Sequence, residues 1–223
     1  MRELTGERLE KELARLQDMH IYENSYAATH SFIAGVDEAG RGPLAGPVVA
    51  ACCILPEDAV ILHLNDSKKL SEKRREALFP EIQENAIAYG VGIVDEARID
   101  EINILQADYE AMRIALQKTS DMLKAKGLTD KGPDLLLNDA VTIPDVEIEQ
   151  IPIIKGDAKS VSIAAASVLA KVTRDHLMQQ YDTEYPQYGF AKHKGYGTAA
   201  HIAALKEFGP CPIHRRSFIK KFV

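Results

Sequence analysis

An apolar segment that stops at two adjacent carboxylates constrains this chain more than any other feature of its sequence. Residues 33–36 are small or β-branched, which is typical of a buried strand, and Asp37 and Glu38 follow where a loop rich in glycine and proline begins. Two adjacent carboxylates in a half-buried position repel each other, and this raises a pKa unless divalent cations lie between them. The junction therefore predicts a buried strand with a metal site at its carboxyl end.

The loop after these carboxylates contains groups that can hold an anion. Three glycines and two prolines lie between positions 40 and 47, which indicates a rigid backbone that a ligand can approach closely. Arg41 lies between Gly40 and Gly42, and its planar guanidinium suits phosphate or ribose oxygens. An isolated Asp-Glu pair is more often just polar surface at the end of a strand. Carboxylates for a cation beside donors for an anion instead indicate phosphodiester chemistry.

Six short motifs follow one another along the chain. They are V-D-E-A-G-R-G-P-L-A-G-P (36–47), D-S-K-K-L (66–70), L-L-N-D-A (136–140), K-G-D-A-K-S-V-S-I-A-A-A-S (155–167), A-K-V-T-R-D (170–175) and H-K-G-Y-G-T (193–198). Through these motifs and their order the chain resembles ribonuclease HII, the type 2 ribonuclease H of bacteria and archaea. The resemblance extends from about Phe32 to Phe218.

Length and composition are those of one α/β domain. The chain has 223 residues, of which 46% are hydrophobic and 27% charged, and it lacks an apolar run long enough to span a membrane. Its first residues lack the apolar core of a signal peptide, so we expect a cytoplasmic protein. Three cysteines without C-x-x-C spacing argue against a disulfide framework and against zinc.

The charge distribution is uneven. The net charge is −6, but residues 192–223 carry seven basic side chains against one acid, a net charge of +6 that leaves about −12 for the remainder. The basic residues are Lys192, Lys194, Lys206, Arg215, Arg216, Lys220 and Lys221. We expect this C-terminal region to hold phosphates beside the acidic centre, although a basic tail is often only a solvated surface.

Hydrophobic periodicity predicts a mixture of strands and helices. Strands are predicted at 33–36, 48–55, 86–94, 135–137 and 151–154, and helices at 2–20, 71–85, 103–126, 160–181 and 199–208. The first three strands follow one another directly, which favours an antiparallel meander. Gly90 and Gly92 in the third strand suggest that another backbone approaches closely.

The resemblance implies a particular α/β architecture that the pattern alone does not single out. This is the ribonuclease H-like fold, a mixed five-stranded sheet flanked by helices. We divide the chain into an N-terminal helical extension, residues 1–30, and a catalytic domain, residues 31–223, with a helical and basic C-terminal region. Leu4, Leu9, Leu13 and Leu16 form the apolar side of the predicted first helix.

Two further acids complete the predicted site. Asp139 follows a predicted strand, and by itself it would be interpreted as a turn residue. Asp157 precedes a predicted helix, and by itself it would be interpreted as an N-cap. The resemblance makes Asp37, Glu38, Asp139 and Asp157 the catalytic carboxylates and metal ligands. Such a set would hold two Mg²⁺ or Mn²⁺ ions about 4 Å apart, and the sequence does not determine which metal is preferred.

The resemblance also implies a substrate and the residues that contact it. It implies cleavage on the 5′ side of a ribonucleotide embedded in duplex DNA, and of RNA in RNA–DNA hybrids, leaving 3′-hydroxyl and 5′-phosphate ends. Gly40, Arg41 and Gly42 would surround the 2′-hydroxyl, Tyr196 would stack on the neighbouring deoxyribose, and Lys68 would contact a phosphate. Weaker candidates are Lys69, Lys159 and Lys192. The three histidines His193, His201 and His214 are either substrate contacts or solvated residues.

Alternatives remain at this point. The related enzyme ribonuclease HIII is disfavoured, because that family carries a larger N-terminal domain and a lysine where Arg41 lies. A non-catalytic nucleic-acid-binding protein could share the fold, but the presence of all four acids argues against it. We expect a monomer. The segment 215–223 is either a peptide for a sliding-clamp groove or a tail that covers its own core, and the second is favoured.

Overall fold

A five-stranded mixed sheet forms the centre of the part of the chain that the structure describes. A computed structural model describes residues 5–223. The strands are β1 (Ile33–Ala39), β2 (Val48–Ile54), β3 (Ala88–Val94), β4 (Leu135–Asp139) and β5 (Glu149–Ile153), in the spatial order β3-β2-β1-β4-β5. β1, β2 and β3 form the predicted antiparallel meander, and β4 and β5 run parallel to β1. The predicted fold class is confirmed.

Helices cover both faces of this sheet. They are α1 (Glu7–Met19), α2 (Ile21–Tyr26), α3 (Glu72–Asn85), α4 (Glu96–Ile102), α5 (Ile104–Ala125), α6 (Val161–Glu184), α7 (Phe190–His193), α8 (Ala199–Phe208) and α9 (Arg216–Ile219). α5 packs on β3 and β2, whereas α6 packs on β1 and β2 from the other side. No helix within residues 5–223 combines the length and the apolar character that crossing a lipid bilayer requires.

Strand β2 is buried on both of its faces. Successive side chains of a strand point to opposite sides, so Ala50 and Cys52 join the apolar cluster under α5. Ala51 and Cys53 join the cluster under α6. Burial raises the pKa of both cysteine thiols, that of Cys52 to about 12, so both behave as small core residues.

The predicted close approach at β3 is confirmed. A Cβ atom added to Gly90 or Gly92 would collide with the backbone carbonyl oxygen of Ala115 or Ala111 in α5. These two glycines therefore let α5 lie directly against the sheet. The apolar pattern of residues 103–126 predicts that Ile104, Leu105 and Met112 lie on the inward face of this helix. Leu105 is instead 40% exposed, because the face of α5 that packs on the sheet begins at Ala107.

Strands β1 and β4 extend further at their carboxyl ends than predicted, and this affects the acids. β1 continues through Asp37 and Glu38 because Ala39 still pairs with Val49 of β2. β4 continues through Asp139, which pairs with Ile153 of β5. Asp37, Glu38 and Asp139 are therefore held by strand pairing and not by a loop or a turn. Helix α4 was not predicted.

The N-terminal helices pack onto the sheet domain. Residues 2–4 of the predicted first helix, including Leu4, lie outside the described residues. The remainder corresponds to α1, whereas α2 begins after the predicted helix ends and was not predicted. Leu16 and Met19 join the apolar cluster under α6. Glu23 of α2 accepts hydrogen bonds from Ser160 Oγ at 2.5 Å and from Ser162 N at 3.0 Å. These bonds tie α2 to the start of α6.

Candidate active site

Three of the four predicted acids converge at one edge of the sheet. β1 and β4 are parallel, and their register pairs Val36 with Asn138, so Asp37 and Asp139 come next on neighbouring strands. Asp157 lies in the turn just before α6. Carboxylate oxygens of Asp37, Asp139 and Asp157 all lie within 4.8 Å of one another. Sequence separation does not prevent this meeting because parallel strands end at the same edge.

Glu38 lies beside this group and not within it. Among residues 5–223, the mutually close oxygens come from the three aspartates. Consecutive side chains of a strand point to opposite faces, so Asp37 lies on the α6 side of the sheet and Glu38 on the α5 side. A carboxylate oxygen of Glu38 lies 3.8 Å from Nη1 of Arg41. The predicted four-acid set is thus three converging aspartates with a glutamate turned towards the glycine-rich loop.

The electrostatics of the acids indicate a cation site. Burial, with the charges of Glu38 and Asp139, raises the pKa of Asp37 well above its usual value. Burial and the charge of Asp139 also raise the pKa of Glu38, although the charge of Arg41 opposes this rise. Burial and the charge of Asp139 raise the pKa of Asp157 in the same way, and here the charge of Lys68 opposes the rise. Like charges at this distance are unfavourable unless a cation offsets them, and carboxylate oxygens suit hard divalent ions. The residues fit Mg²⁺ or Mn²⁺.

Asp157 is not the N-cap of α6. It lies in a short 3₁₀ turn, Gly156–Ala158, and Ser160 caps the helix by accepting a hydrogen bond from Ile163 N at 3.2 Å. The capping interpretation is wrong, and the Asp157 carboxylate is directed to the cluster instead. The turn is joined to β4 because the backbone N–H of Gly156 donates to Asp139 Oδ1 at 2.7 Å.

The residues predicted to contact substrate line one cavity beside the acids. This cavity of about 190 Å³ is bordered by Glu38 and by all five predicted contacts, Gly40, Arg41, Gly42, Lys68 and Tyr196. Tyr196 is 47% exposed, and Lys68 Nζ lies 3.6 Å from Asp157 Oδ2. The weaker candidates Lys69 and Lys159 border another cavity, about 530 Å³ in volume, next to α1 and α2.

A buried arginine that sequence reasoning missed holds the glycine-rich loop. Arg215 is 0% exposed and donates to the carbonyl oxygens of Gly40 at 2.6 Å, Arg41 at 3.0 Å and Gly46 at 2.8 Å. Burial lowers its pKa to about 9. The prediction that Arg215 belongs to a phosphate-binding basic face is wrong, because its guanidinium is enclosed by backbone carbonyls.

Arg174 of α6 is a second buried arginine of this kind. It is 1% exposed and donates to the carbonyl oxygens of Pro47 at 2.9 Å, Ala45 at 3.1 Å and Lys194 at 2.9 Å. It therefore joins the glycine-rich loop to the loop that carries Tyr196. The A-K-V-T-R-D motif contained this residue, but nothing in the sequence distinguished a buried arginine from an exposed one.

Asp108 of α5 was also missed. It is completely buried, and its Oδ2 lies 3.4 Å from Nε of Arg41. Burial and the charge of Glu38 raise its pKa to about 8, against the opposing charge of Arg41. Its position could have indicated that it is buried. Asp108 lies four residues from both Ile104 and Met112, and residues four apart share one face of a helix, here the predicted apolar face of α5.

Two of the three histidines are neither substrate contacts nor solvated residues. His201 is 0% and His214 is 1% exposed, and their Nε2 atoms lie 3.0 Å apart. His193 stacks on His201 with ring centroids 4.5 Å apart. The alternatives considered from the sequence were wrong for His201 and His214.

Comparison with known proteins agrees with the class that fold and site define, a metal-dependent nuclease on a ribonuclease H-like sheet. The family model described as Ribonuclease HII matches residues 34–221. The chain is 61% identical over 214 residues to ribonuclease HII of Lachnoclostridium phytofermentans, covering 96% of this chain and 80% of that protein. The chain belongs to the ribonuclease HII family. It is a metal-dependent endoribonuclease with ribonuclease H activity on RNA–DNA hybrids, and the two alternative assignments made from the sequence are set aside.

Solved structures give the same family. Ribonuclease H2 from Pyrococcus horikoshii OT3 superposes with a TM-score of 0.67 at 29% identity, covering 86% of this chain and 96% of that one. RNase HII from Archaeoglobus fulgidus, solved as a complex with PCNA, superposes with a TM-score of 0.64 at 25% identity, covering 85% and 96%.

Divalent cations are expected to stabilise this protein more at about pH 8 than at about pH 5.5. The folded-state pKa values of Asp37, Glu38 and Asp157 are raised, so the folded protein retains protons that the unfolded chain has released. Stability without metal therefore falls as pH rises from about 4 through these raised values. A cation at 100 times its Kd adds about 2.7 kcal/mol, a rise in Tm of roughly 5–11 °C.

Thermal unfolding at the two pH values, with Mg²⁺ or Mn²⁺ and with KCl of equal ionic strength as the control, measures this difference. A rise in Tm that KCl reproduces, or that is the same at both pH values, contradicts the prediction.

Proposed function

We propose that this enzyme also incises duplex DNA on the 5′ side of a single embedded ribonucleotide, leaving 3′-hydroxyl and 5′-phosphate ends, and so removes ribonucleotides from DNA. The observation that carries the proposal is that Glu38 and the predicted ribose contacts border one cavity, and that Lys68 on this border lies 3.6 Å from Asp157 of the aspartate cluster. The residues that would recognise one ribose then lie next to the carboxylates that would support hydrolysis. The proposal includes monomeric action, which is supported by the fact that all of these residues come from one chain, and it places this action in the cytoplasm.

The acids would hold two divalent ions, Mg²⁺ or Mn²⁺. Asp37, Asp139 and Asp157 supply oxygens that lie within 4.8 Å of one another, and Glu38 supplies a carboxylate at the border of the substrate cavity. When bound, the ions supply an activated water and stabilise the charge of the transition state. The protein keeps the aspartates together by pairing β1 with β4 and by the bond from Gly156 to Asp139.

Recognition of a ribose requires a group that reads its 2′-hydroxyl. The backbone of Gly40, Arg41 and Gly42 forms the wall of the cavity next to Tyr196, and a Cβ added to Gly42 would lie 3.7 Å from the Tyr196 ring. A side chain at position 42 would therefore lie against the ring, and glycine keeps this side of the ring open to a sugar. The half-exposed ring can then stack on the next deoxyribose, and the exposed Lys68 can contact a phosphate.

A sliding clamp is not proposed as a partner of the C-terminal segment. The neighbour from Archaeoglobus fulgidus was solved with PCNA. In this chain, however, Ile219 is 1% exposed and packs with Leu44 and Leu205, and Phe218 and Phe222 pack against the same cluster. The tail covers its own core, which is the alternative that the sequence analysis favoured.

The test is cleavage of end-labelled duplexes that carry one ribonucleotide, none, or a continuous RNA strand, with Mg²⁺, Mn²⁺ or a chelator. We expect incision directly 5′ of the single ribonucleotide, loss of incision with the chelator, and no cleavage of the all-DNA duplex. Cleavage of the continuous hybrid alone would overturn the proposed excision activity while leaving the ribonuclease H activity intact.

Tyr196→Ala and Tyr196→Phe form a matched pair for the recognition step. Loss of stacking is worth about 1–3 kcal/mol, so the alanine variant should lose roughly 5- to 150-fold in kcat/KM on the single-ribonucleotide duplex. The phenylalanine variant keeps the ring and should stay close to wild type. Equal activity of both variants would remove the stacking role from the proposal.

A further inference from the structure

A buried chain of hydrogen bonds joins the backbone of Tyr196 to the segment that precedes Arg215. His201 Nδ1 lies 2.9 Å from the carbonyl oxygen of Tyr196, and His201 Nε2 lies 3.0 Å from His214 Nε2. At the far end the backbone N–H of Cys211 donates to His214 Nδ1 at 3.0 Å. Neither imidazole contacts the acids or the cavity, so the proposed chemistry leaves this chain of bonds unexplained.

The two ends of the chain determine the proton positions within it. A carbonyl oxygen only accepts, so His201 Nδ1 carries a proton and donates to Tyr196. A backbone N–H only donates, so His214 Nδ1 is an acceptor without a proton. Neutral His214 therefore carries its proton on Nε2 and donates it to Nε2 of neutral His201. A proton added to either ring would place two N–H groups against each other.

The surroundings keep both rings neutral and dry. The ring of Phe190 lies 5.4 Å from that of His201, and the ring of Tyr188 lies 5.0 Å from that of His214. Burial lowers the pKa of both imidazoles, that of His214 to about 4. Neither residue can exchange protons with a substrate, and both are suited to a fixed structural bond.

The loop that receives this bond is also held by Arg174 at Lys194 O and by Leu44 N, which donates to Gly195 O at 2.8 Å, but His201 is the side chain that bonds the carbonyl of Tyr196 itself. Lys194 has a left-handed backbone with φ of 52°, which is unfavourable for a residue with a side chain. The carbonyl of Tyr196 also accepts from Thr198 N at 2.8 Å within the same loop. His201 is the contact through which helix α8 and, by way of His214, the C-terminal segment hold this carbonyl.

We propose that His201, supported by His214, is a positioning residue that fixes the backbone of Tyr196 and thereby the orientation of its ring over the substrate cavity. This inference rests on the proposed stacking role of Tyr196. The same C-terminal segment holds the glycine-rich loop through Arg215, so one segment sets both walls of the cavity.

His201→Asn and His201→Gln separate the two bonds of this residue. The amide of Asn reaches the position of Nδ1 and can still donate to Tyr196, whereas the amide of Gln reaches the position of Nε2 and keeps only the bond to His214. We expect the Gln variant to raise KM for the single-ribonucleotide duplex about 2- to 12-fold, with kcat within about twofold of wild type. The Asn variant should have nearly the KM of wild type.

The same substitutions in a Tyr196→Ala background identify the route of the effect. If His201 acts through Tyr196, the Gln substitution should cause no further change there. A general packing role predicts that Asn, the smaller residue, is the worse variant, and that the loss persists without the tyrosine ring. Either result overturns the proposal.

A measurement without substrate tests the chain of bonds in the wild-type protein. ¹⁵N chemical shifts of the imidazoles should identify His201 as the Nδ1–H tautomer and His214 as the Nε2–H tautomer, and the opposite tautomers overturn the inference. If wild-type enzyme does not incise the single-ribonucleotide duplex, the proposed function fails and the role of His201 in recognition fails with it. If the wild-type enzyme does incise this duplex, the KM values of the His201 variants test the role of His201 alone.

Discussion

Asp37→Asn is expected to remove metal-dependent cleavage and, at the same time, to raise Tm in the absence of divalent cations. The Asp37 carboxylate is 2% exposed, and its charge is opposed by burial and by Glu38 and Asp139. Asn keeps the oxygen that accepts the Glu38 N–H at 2.8 Å and loses the charge. Relief of about 1 kcal/mol raises Tm by roughly 2–4 °C for a chain of this size.

The expected loss of cleavage activity in Asp37→Asn also follows from the loss of the carboxylate charge, because this charge would hold the cation. Cation stabilisation of a transition state is worth several kcal/mol, and about 4 kcal/mol corresponds to a fall of three powers of ten in kcat. Single-turnover cleavage of the RNA–DNA hybrid and thermal unfolding with a chelator measure the two effects. Asp58→Asn, a change at an exposed acid away from the site, is the matched control and should alter neither.

A lower Tm for Asp37→Asn without metal would mean that the carboxylate is stabilised by contacts and not strained by its neighbours. Activity within about tenfold of wild type would mean that Asp37 is not a required ligand.

Arg215→Met is expected to lower both stability and activity. Three carbonyl oxygens, those of Gly40, Arg41 and Gly46, would lose a donor. Each unsatisfied group costs about 1–3 kcal/mol, so the total of at least about 3 kcal/mol lowers Tm by roughly 6–12 °C. The backbone around Arg41 would then lose its fixed position, and a displacement of about 1 Å can reduce the rate about 100-fold.

Arg216→Met is the control for this change, because Arg216 is the neighbouring arginine but is exposed. Arg215→Lys tests geometry, since lysine keeps the charge but cannot reach three carbonyls with one planar group. Thermal unfolding and kcat/KM on the hybrid distinguish these variants. If Arg215→Lys behaved as wild type, the positive charge and not the hydrogen-bond geometry would hold the loop.

The motifs allowed much of the fold to be predicted. Short apolar runs located the five strands, and Ser71 was correctly predicted to begin a helix, where its side chain accepts from Arg74 N. The resemblance supplied the sheet architecture, which periodicity alone could not single out. The predicted first and fourth strands ended three and two residues too early, because pairing with β2 extends β1 and pairing with β5 extends β4.

The identity of the acids could be predicted, but their arrangement could not. Neighbouring Asp37 and Glu38 looked like one pair of ligands, yet the alternation of a strand sends them to opposite faces. Asp157 looked like a helix cap, and Ser160 takes that position. Each difference depends on a backbone conformation that a short segment does not determine.

The amino-acid sequence by itself determined the chemistry of this protein, namely carboxylates for a cation, a glycine-flanked arginine and a tyrosine between glycines. Only the tertiary structure decided which polar side chains are buried and which groups they contact. Arg174, Arg215 and the pair of His201 and His214 look like ordinary surface residues in the sequence. The partners of Arg215 and most partners of Arg174 lie far away along the chain, and the histidines are buried by elements packed around them. Burial depends on these tertiary contacts, whereas residue type and local periodicity are properties of the sequence alone.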